Sequence, residues 1–312
     1  MATINPKYSV VIPCYGTDKS IVELANRINI VFTDHIKENY ELILIDDFSP
    51  NINTWTTLKD VKQMFPYNTK IVQLTRNFGK AGAVLCGFSK VKGDYVITLD
   101  DDLQQSPEDI LKLIPHKEEN DVVIGYFKNK NHNFFKKSSS KIKRVFDYYL
   151  IGKPKHIHST PFKLFNRKIV DEMVKIKTPY PFIAALMFYV TKNIMMVEVS
   201  HNKRKYDKSN FNSFKRLKQF SNLLINNSSF LLRFVAFIGF LTSFFSFSYG
   251  ILIFTKQLFF NGSRVAGWTS IMVVTLILGG LILLSIGITG EYLIRIIKGV
   301  ESRPAYIIRK EL

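Results

Sequence analysis

The sequence predicts an α/β domain with a mainly parallel sheet, followed by a pair of membrane helices. The first prediction rests on five short apolar or β-branched runs that alternate with helical patterns: 9–13, 41–45, 70–74, 95–99 and 121–125. The second rests on two uncharged runs, Phe234–Phe254 and Trp268–Thr289. Each run has about 21 residues, which is enough to cross a bilayer core of roughly 30 Å. A pair of buried core helices is the alternative for these runs.

The composition indicates a basic protein that binds phosphorylated partners. The chain has 312 residues with 43 Lys and Arg against 25 Asp and Glu, so its formal net charge is +18. Such a charge attracts nucleic acid, anionic lipid or phosphorylated small molecules. The basic runs 128–144 and 203–218 lie near the apolar runs, which argues against a nucleic-acid partner. The two cysteines form no C-x-x-C pair, which argues against a disulfide framework or a thiolate zinc site.

The charge distribution predicts the domain order and the membrane topology. Basic residues crowd before the first apolar run and after the second, so both chain ends are expected in the cytoplasm and the connection outside, at the plasma membrane. The N-terminus lacks the pattern of a signal peptide. The expected divisions are a cytoplasmic α/β domain, a juxtamembrane amphipathic helix, two transmembrane helices and a cytoplasmic tail: 1–210, 211–232, 233–292 and 293–312. An ordinary packed helix is the alternative for the amphipathic segment.

Polar clusters follow four of the predicted strands at the point where each strand ends. In chain order they read "PCYG", "DDFS", "TRNFGK" and "DDDLQ". Ligands of parallel α/β sheets bind outside the carboxyl ends of the strands. The sequence therefore predicts a binding site at this edge of the sheet.

The acidic cluster after the fourth run predicts a divalent cation. Asp100 and Asp102 are two residues apart, and Gln104 offers a neutral oxygen on the same alternation. Magnesium and manganese prefer oxygen ligands and accept substrate phosphates as further ligands. Simpler interpretations stay open. The acidic run could be a solvated turn, Asp46 and Asp47 could end a strand and cap a helix, and the glycines of "FGKAG" could be packing residues.

The motifs together resemble those of family 2 glycosyltransferases. The matching stretches are "VVIPCYG", "LILIDDFSP", "LTRNFGKAGAVLCGF" and "GDYVITLDDDLQQSPE". With the paired apolar runs and the ending "GEYLIRIIKGVESRPAYII", the chain resembles the polyprenyl-phosphate type, which includes bactoprenol glucosyltransferases and dolichyl-phosphate mannose synthases. The resemblance runs over nearly the whole chain. It implies a Rossmann-like GT-A fold, a nucleotide-sugar donor, Mg²⁺ or Mn²⁺, and a polyprenyl phosphate acceptor.

The resemblance also implies roles for donor-side residues. Asp47 is expected to contact the donor base, with Pro13 and Tyr15 beside it, while Gly79 and Lys80 are expected along the nucleotide. Asp100, Asp102 and Gln104 match the metal cluster of the family.

On the acceptor side, "RKYDKSNF" resembles the family segment that begins with Arg, and Arg204 and Ser209 are the matching positions. With Asp102 of the metal cluster, they are the expected catalytic residues. Arg204 could clamp a phosphate bidentately, and its alternative is a side chain snorkelling at the membrane surface. The chain departs from the family pattern at four positions. Gly16 replaces an Asn, and Pro161 replaces an acidic residue that is a candidate base. Lys163 replaces an Arg, and Asp207 replaces a Gly.

The activity implied is inverting transfer of a hexose, glucose from UDP-glucose, to undecaprenyl phosphate on the cytoplasmic leaflet. The lipid-linked sugar would serve cell-surface glycan modification. The same reaction with UDP-N-acetylglucosamine or GDP-mannose is an alternative, and a catalytically decayed scaffold is another. A processive polysaccharide synthase is disfavoured, because neither Trp55 nor Trp268 lies in a Gln-x-x-Arg-Trp motif. The expected partners include further copies in a homotetramer, a downstream flippase and a second glycosyltransferase.

Overall fold

The structure is a computed structural model that divides into two compact units. It describes residues 5–127 apart from 18 and 51, 160–200 apart from 179 and 180, 268–300, 304–312 and a few isolated positions between 154 and 255. The first unit comprises Met1–Phe211 and Ser302–Leu312, and the second comprises Asn212–Glu301. The last residues of the chain thus belong with the first unit, whereas the sequence-based division placed 293–312 in a separate tail.

The first unit is built on one sheet, in which the described residues form eight strands. The strands are β1 (Tyr8–Cys14), β2 (Tyr40–Asp46), β3 (Thr69–Leu74), β4 (Tyr95–Thr98), β5 (Val122–Phe127), β6 (Lys163–Asn166), β7 (Ile194–Val199) and β8 (Ile308–Glu311). Their order across the sheet is β7-β5-β6-β4-β1-β2-β3-β8. The five predicted runs correspond to β1 to β5, so the α/β prediction is confirmed.

The sheet is mixed rather than purely parallel. Strands β3, β2, β1 and β4 run parallel to one another, whereas β6 is antiparallel to both β4 and β5. Strand β8 is antiparallel to β3 and closes that edge of the sheet. The parallel centre brings the carboxyl ends of β1, β2, β3 and β4 to one edge.

Helices cover both faces of the sheet. They are α1 (Lys19–Ile30), α2 (Ile52–Met64), α3 (Lys80–Phe88), α4 (Ile110–Leu113), α5 (Arg167–Lys175) and α6 (Ile183–Val190). Helices α1, α2 and α4 contribute to one apolar cluster, and α3, α5 and α6 contribute to the other. Strand β1 serves both clusters, because Val10 and Ile12 face one and Val11 faces the other, as the two-residue period of a strand requires.

The second unit is described mainly by one helix, α7 (Trp268–Val300). Counting only the described residues, no helix combines the length and hydropathy that crossing a membrane would need. The amphipathic segment 211–232 and most of the apolar run Phe234–Phe254 lie outside the described residues. The membrane helix pair therefore stays a prediction.

Candidate active site

Hydrogen bonds join the loops that follow the central strands. The Asp47 N–H donates to the Cys14 carbonyl at 3.0 Å, which ties the β2 loop to the end of β1. The Tyr15 N–H donates to Asp101 Oδ2 at 3.3 Å, and the Phe78 N–H donates to Asp47 Oδ1 at 2.7 Å. The four polar clusters predicted from the sequence therefore form one continuous surface.

The two neighbouring carboxylates after β2 have different partners. Asp46 accepts from the Ser49 N–H at 2.9 Å, from Ser49 Oγ at 2.6 Å and from Gln73 Nε2 at 2.9 Å. It thereby ends the strand and orders the turn, which is the structural role that the sequence left open. Asp47 accepts from the backbone N–H groups of Phe78 and Gly79. Burial raises the pKa of Asp47 to about 6, although these two hydrogen bonds oppose the shift.

The backbone around this carboxylate is unusual. Phe48, which follows Asp47, has φ 55°, and Gly79, at the start of α3, has φ 83°. A positive φ is costly for an aromatic residue and is found preferentially at functional sites. In the loop after β3, the Arg76 guanidinium lies 4.4 Å from the centre of the Phe78 ring. The backbone N–H of this same Phe78 donates to the Asp47 carboxylate, so a ring and a guanidinium group lie on the loop that holds Asp47.

The β1 loop lies beside this region. Pro13 pairs with Ile45 in the β1–β2 register, and Tyr15 is 46% exposed. Gly16, at the position of the family Asn, has φ 70° and donates its N–H to Ser49 Oγ at 2.9 Å. The structure therefore brings Pro13 and Tyr15 near the β2 loop, and the glycine at position 16 fits a left-handed turn.

The three consecutive aspartates after β4 diverge. Asp101 turns inward and accepts from Thr17 Oγ1 and the Tyr15 N–H. Burial raises its pKa to about 6, opposed by the Thr17 hydrogen bond. Asp102 Oδ1 instead accepts from the Gln104 N–H at 3.1 Å, and Leu103 between them has φ 58°. The middle aspartate therefore holds the loop against β1.

A lysine faces the first of these aspartates. The Lys80 ammonium, at the start of α3, pairs with Asp100 Oδ1. The Asp100 N–H donates to Gln105 Oε1 at 3.0 Å, so Gln105 supports the loop. This cation offsets part of the negative charge of the acidic loop. Lys80 thereby joins the loop after β3 to the acidic loop.

The oxygen ligands expected after β4 fit a hard divalent cation. Within the described part of the chain, no three His, Cys, Asp or Glu side chains converge as a complete metal cage. The expected set is two carboxylates and an amide, Asp100, Asp102 and Gln104, which offers oxygen atoms only. Oxygen donors suit Mg²⁺ and Mn²⁺, which also take ligands from substrate phosphates and water. These three residues would hold the cation.

A buried lysine borders the same region. Lys163 lies opposite Thr98 in the β4–β6 register, is 5% exposed, and donates to the Thr160 carbonyl. The pKa of Lys163 is lowered to about 7, mainly by burial and also by the nearby charge of Lys80, while Asp100 opposes the shift. The sequence identified Lys163 only as a departure from the family pattern. Its place within the apolar stretch "PFKLF" was the available signal of burial.

Hydrogen bonds also fix the chain after β7 against the acidic loop. The Asn202 N–H donates to the Gln104 carbonyl at 3.0 Å, and Asn202 Nδ2 donates to Ser106 Oγ at 3.2 Å. The sequence did not single out Asn202. Arg204 and Ser209 lie outside the described residues, so their expected catalytic roles stay predictions.

The fold and site define a mixed α/β domain with a polar, partly acidic cluster at the carboxyl ends of its parallel strands, where ligands of such sheets bind. Residues 9–174 match the family model described as Glycosyl transferase family 2. The chain belongs to this family and is a glycosyltransferase, so the resemblance drawn from its motifs is confirmed.

Two curated relatives extend the match beyond the family domain. The uncharacterized glycosyltransferase YkcC of Bacillus subtilis (strain 168) is 32% identical, with 97% of this chain and 94% of the relative covered. The undecaprenyl-phosphate 4-deoxy-4-formamido-L-arabinose transferase of Proteus mirabilis (strain HI4320) is 30% identical, with 97% and 93% covered. The similarity therefore includes the C-terminal part of the chain.

A solved structure supports the GT-A fold. Glucosyl-3-phosphoglycerate synthase from Mycobacterium tuberculosis, in complex with UDP, superposes with a TM-score of 0.50 at 14% identity. The match covers 70% of this chain and 79% of that chain. At this identity the similarity concerns the fold alone.

Proposed function

We propose that this glycosyltransferase transfers one sugar from a nucleoside diphosphate to undecaprenyl phosphate, with inversion at the anomeric carbon. The observation that carries the proposal is the match along 97% of this chain to a relative named for transfer to undecaprenyl phosphate. The joined loops at the sheet edge support the donor half of the proposal, because they offer the acidic set and a carboxylate, Asp47, beside exposed aromatic rings.

Residues of the acidic loop would act on the donor diphosphate. Asp100, Asp102 and Gln104 would hold a divalent cation, which when bound neutralises charge on the leaving diphosphate. Lys80, now paired with Asp100, would add positive charge beside that group. Arg204, in the basic segment that follows β7, would bind a phosphate group through two of its guanidinium N–H groups.

The acceptor is itself a good nucleophile. A phosphate monoester has a second pKa near ~6, so it is largely a dianion at neutral pH and needs little help from a general base. Pro161 in place of an acidic residue is compatible with this chemistry. A single displacement in which the lipid phosphate attacks opposite the leaving diphosphate inverts the anomeric centre.

Two sugars are the first candidates for the donor. Glucose from UDP-glucose is the sequence-based expectation, and 4-deoxy-4-formamido-L-arabinose is the sugar in the name of the Proteus relative. UDP-N-acetylglucosamine and GDP-mannose follow as alternatives. Sugars of similar size are distinguished by a few hydrogen bonds, each worth about 1 kcal/mol net.

The predicted pair of membrane helices and the basic segment 203–218 would keep the site at the cytoplasmic leaflet, where the acceptor phosphate lies. A sugar made there would need a flippase and a second glycosyltransferase before it reached a surface glycan. A homotetramer remains part of the proposal by resemblance to the family.

The test is a donor panel with the purified full-length protein in lipid nanodiscs that contain undecaprenyl phosphate. UDP-glucose, UDP-N-acetylglucosamine, GDP-mannose and the nucleotide-activated formamido-arabinose are supplied with Mg²⁺ or Mn²⁺. Mass spectrometry should find one sugar on the lipid phosphate, and nanodiscs with undecaprenol should give no product. Failure to glycosylate the lipid phosphate from any of these donors would contradict the proposal and favour a decayed scaffold.

A further inference from the structure

The C-terminal strand places an arginine beside the donor region. In the β3–β8 register Leu74 pairs with Ile308 and Gln73 pairs with Lys310, so Arg309 is the extra residue of a β-bulge. Bulges change the direction of a side chain and are frequent next to active sites. The guanidinium of Arg309 lies 5.8 Å from the centre of the Phe48 ring.

The ring that Arg309 meets follows directly on the carboxylate expected to contact the donor base. Phe48 is 40% exposed although its neighbour Asp47 is buried, and its φ of 55° keeps the backbone in the left-handed region. An aromatic residue in a costly conformation with its ring open to solvent contributes little to the core. The arrangement instead offers a flat apolar surface next to a hydrogen-bond acceptor.

The segment that carries Arg309 is firmly attached. The Thr75 N–H donates to the Ile307 carbonyl at 2.9 Å, and Lys90 pairs with Glu311 at 2.6 Å. Near its start, the Ala305 carbonyl packs so closely on α3 that a Cβ at Gly82 would lie 2.9 Å from it. Gly82 is therefore a packing glycine, and Arg309 approaches Phe48 from a rigid support.

We propose that Phe48 and Arg309 form a stacking surface for the nucleobase of the donor, beside Asp47. A planar base stacks on an aromatic ring, and a guanidinium beside that ring stabilises the stack through its planar charged face. The proposal rests on the proposed function for the nature of the donor. It gives the C-terminal end of the chain a part in donor binding, which the sequence motif alone did not indicate.

The test compares UDP with inorganic pyrophosphate, because only UDP has a base. Calorimetry of the full-length protein in detergent, with Mn²⁺, measures both ligands for the parent, for Arg309→Ala and for the neighbouring exposed control Lys310→Ala. Arg309→Ala should weaken UDP about fivefold and leave pyrophosphate unchanged, whereas Lys310→Ala should change neither. GDP, CDP and TDP are measured as well, and the tightest nucleotide replaces UDP if UDP binds poorly.

A double-mutant cycle tests whether the two side chains act together. Phe48→Ala should weaken the nucleotide at least as much as Arg309→Ala, and the double variant should lose less than the product of the two separate effects. Unfolding temperatures of all variants, and Arg309→Lys as a milder change, show whether a loss of binding reflects a loss of structure.

Several outcomes overturn the proposal. They are unchanged nucleotide affinity in Arg309→Ala, an equal loss in Lys310→Ala, an equal loss of pyrophosphate, losses that track a lowered unfolding temperature, or a parent that binds pyrophosphate but no nucleoside diphosphate. No acceptor lipid is present in these measurements. The stacking surface can therefore fail while the transfer reaction stands, and it can hold even if the acceptor is not undecaprenyl phosphate.

Discussion

Neighbouring carboxylates at the edge of this sheet have separate roles because their partners differ. Asp46 and Asp101 accept hydrogen bonds that order the loops, and Asp101 does so from Thr17 and Tyr15. Asp47 and Asp102 are the carboxylates proposed to act on the donor base and on the cation. Side-chain direction at adjacent positions depends on loop contacts, so it could not be predicted from "DD" or "DDD" alone.

At the metal loop, Asp102→Asn should remove most of the transfer activity, because the amide cannot supply the negative charge that a divalent cation requires. The loss should be about 100-fold or more, as is typical when a group acting on a leaving diphosphate is removed. Product formation is measured by mass spectrometry at saturating Mg²⁺ and Mn²⁺, with thermal unfolding as the check on the fold. The matched control is Asp34→Asn, an exposed position in the helical turn Val31–Ile36 that follows α1. Turnover of Asp102→Asn at the parental rate would make the metal assignment wrong.

The raised pKa of Asp47 predicts that nucleotide binding depends on pH. Its pKa is raised to about 6, so the carboxylate is ionised at pH 7.5 and becomes protonated as the pH falls through about 6. The protonated acid is a poorer acceptor for a base N–H, so UDP affinity should fall as the pH falls from 7.5 to 5.

Asp101 also has a pKa of about 6, so both carboxyl groups change protonation in this pH range. The variant Asp47→Asn separates the effect of Asp47 from that of Asp101. The variant should bind UDP more weakly than the parent at pH 7.5 and lose most of the pH dependence in calorimetry. A parental pH profile in Asp47→Asn would exclude this carboxyl group as the source.

At the scale of elements, the sequence analysis predicted five of the eight described strands and missed β7, although it reads "IMMVEV". Strands β1 to β5 are short runs made mainly of apolar or β-branched residues. Strands β6 and β8 read "KLFN" and "IRKE", and their charged residues hide any strand pattern. Their antiparallel pairing depends on partners far away in the chain, which periodicity cannot detect. The location of the site followed from parallel strand ends. Lys163 and Arg309 are brought to it by the pairing of β6 and β8, and Asn202 by its hydrogen bonds to the acidic loop.

Strand β6 has a buried ammonium group whose cost should be measurable. The pKa of Lys163 falls from 10.5 to about 7, so between these values the unfolded chain binds the extra proton and stability rises with pH. Lys163→Met should raise the unfolding temperature by a few degrees at pH 6, with a gain that shrinks towards pH 10. Differential scanning calorimetry measures both series, and Lys168→Met is the exposed control. A gain that does not depend on pH would show that the charge of Lys163 is not the cause.

At the scale of the whole molecule, the predicted topology can be tested by cysteine labelling. The native Cys14 and Cys86 are both buried, so single cysteines introduced elsewhere should dominate the signal. A membrane-impermeant maleimide added to intact cells should label Gly262→Cys in the connection but not Leu312→Cys, which should react only after permeabilisation. Labelling of position 312 alone in intact cells would reverse the orientation, and labelling of neither after permeabilisation would show that the probe does not reach these positions.

Strand β8 also covers the outer edge of β3. Its backbone satisfies the outer edge of β3, where Ile71 exchanges N–H and carbonyl hydrogen bonds with Leu312 at 3.0 and 2.9 Å. Without residues 303–312, β3 would present unpaired N–H and carbonyl groups along an apolar strand, which is a template for pairing with other chains. Shortened versions of the enzyme should therefore elute as soluble aggregates in size-exclusion chromatography. Affinity tags are better placed at the N-terminus, away from the pairing of β8 with β3.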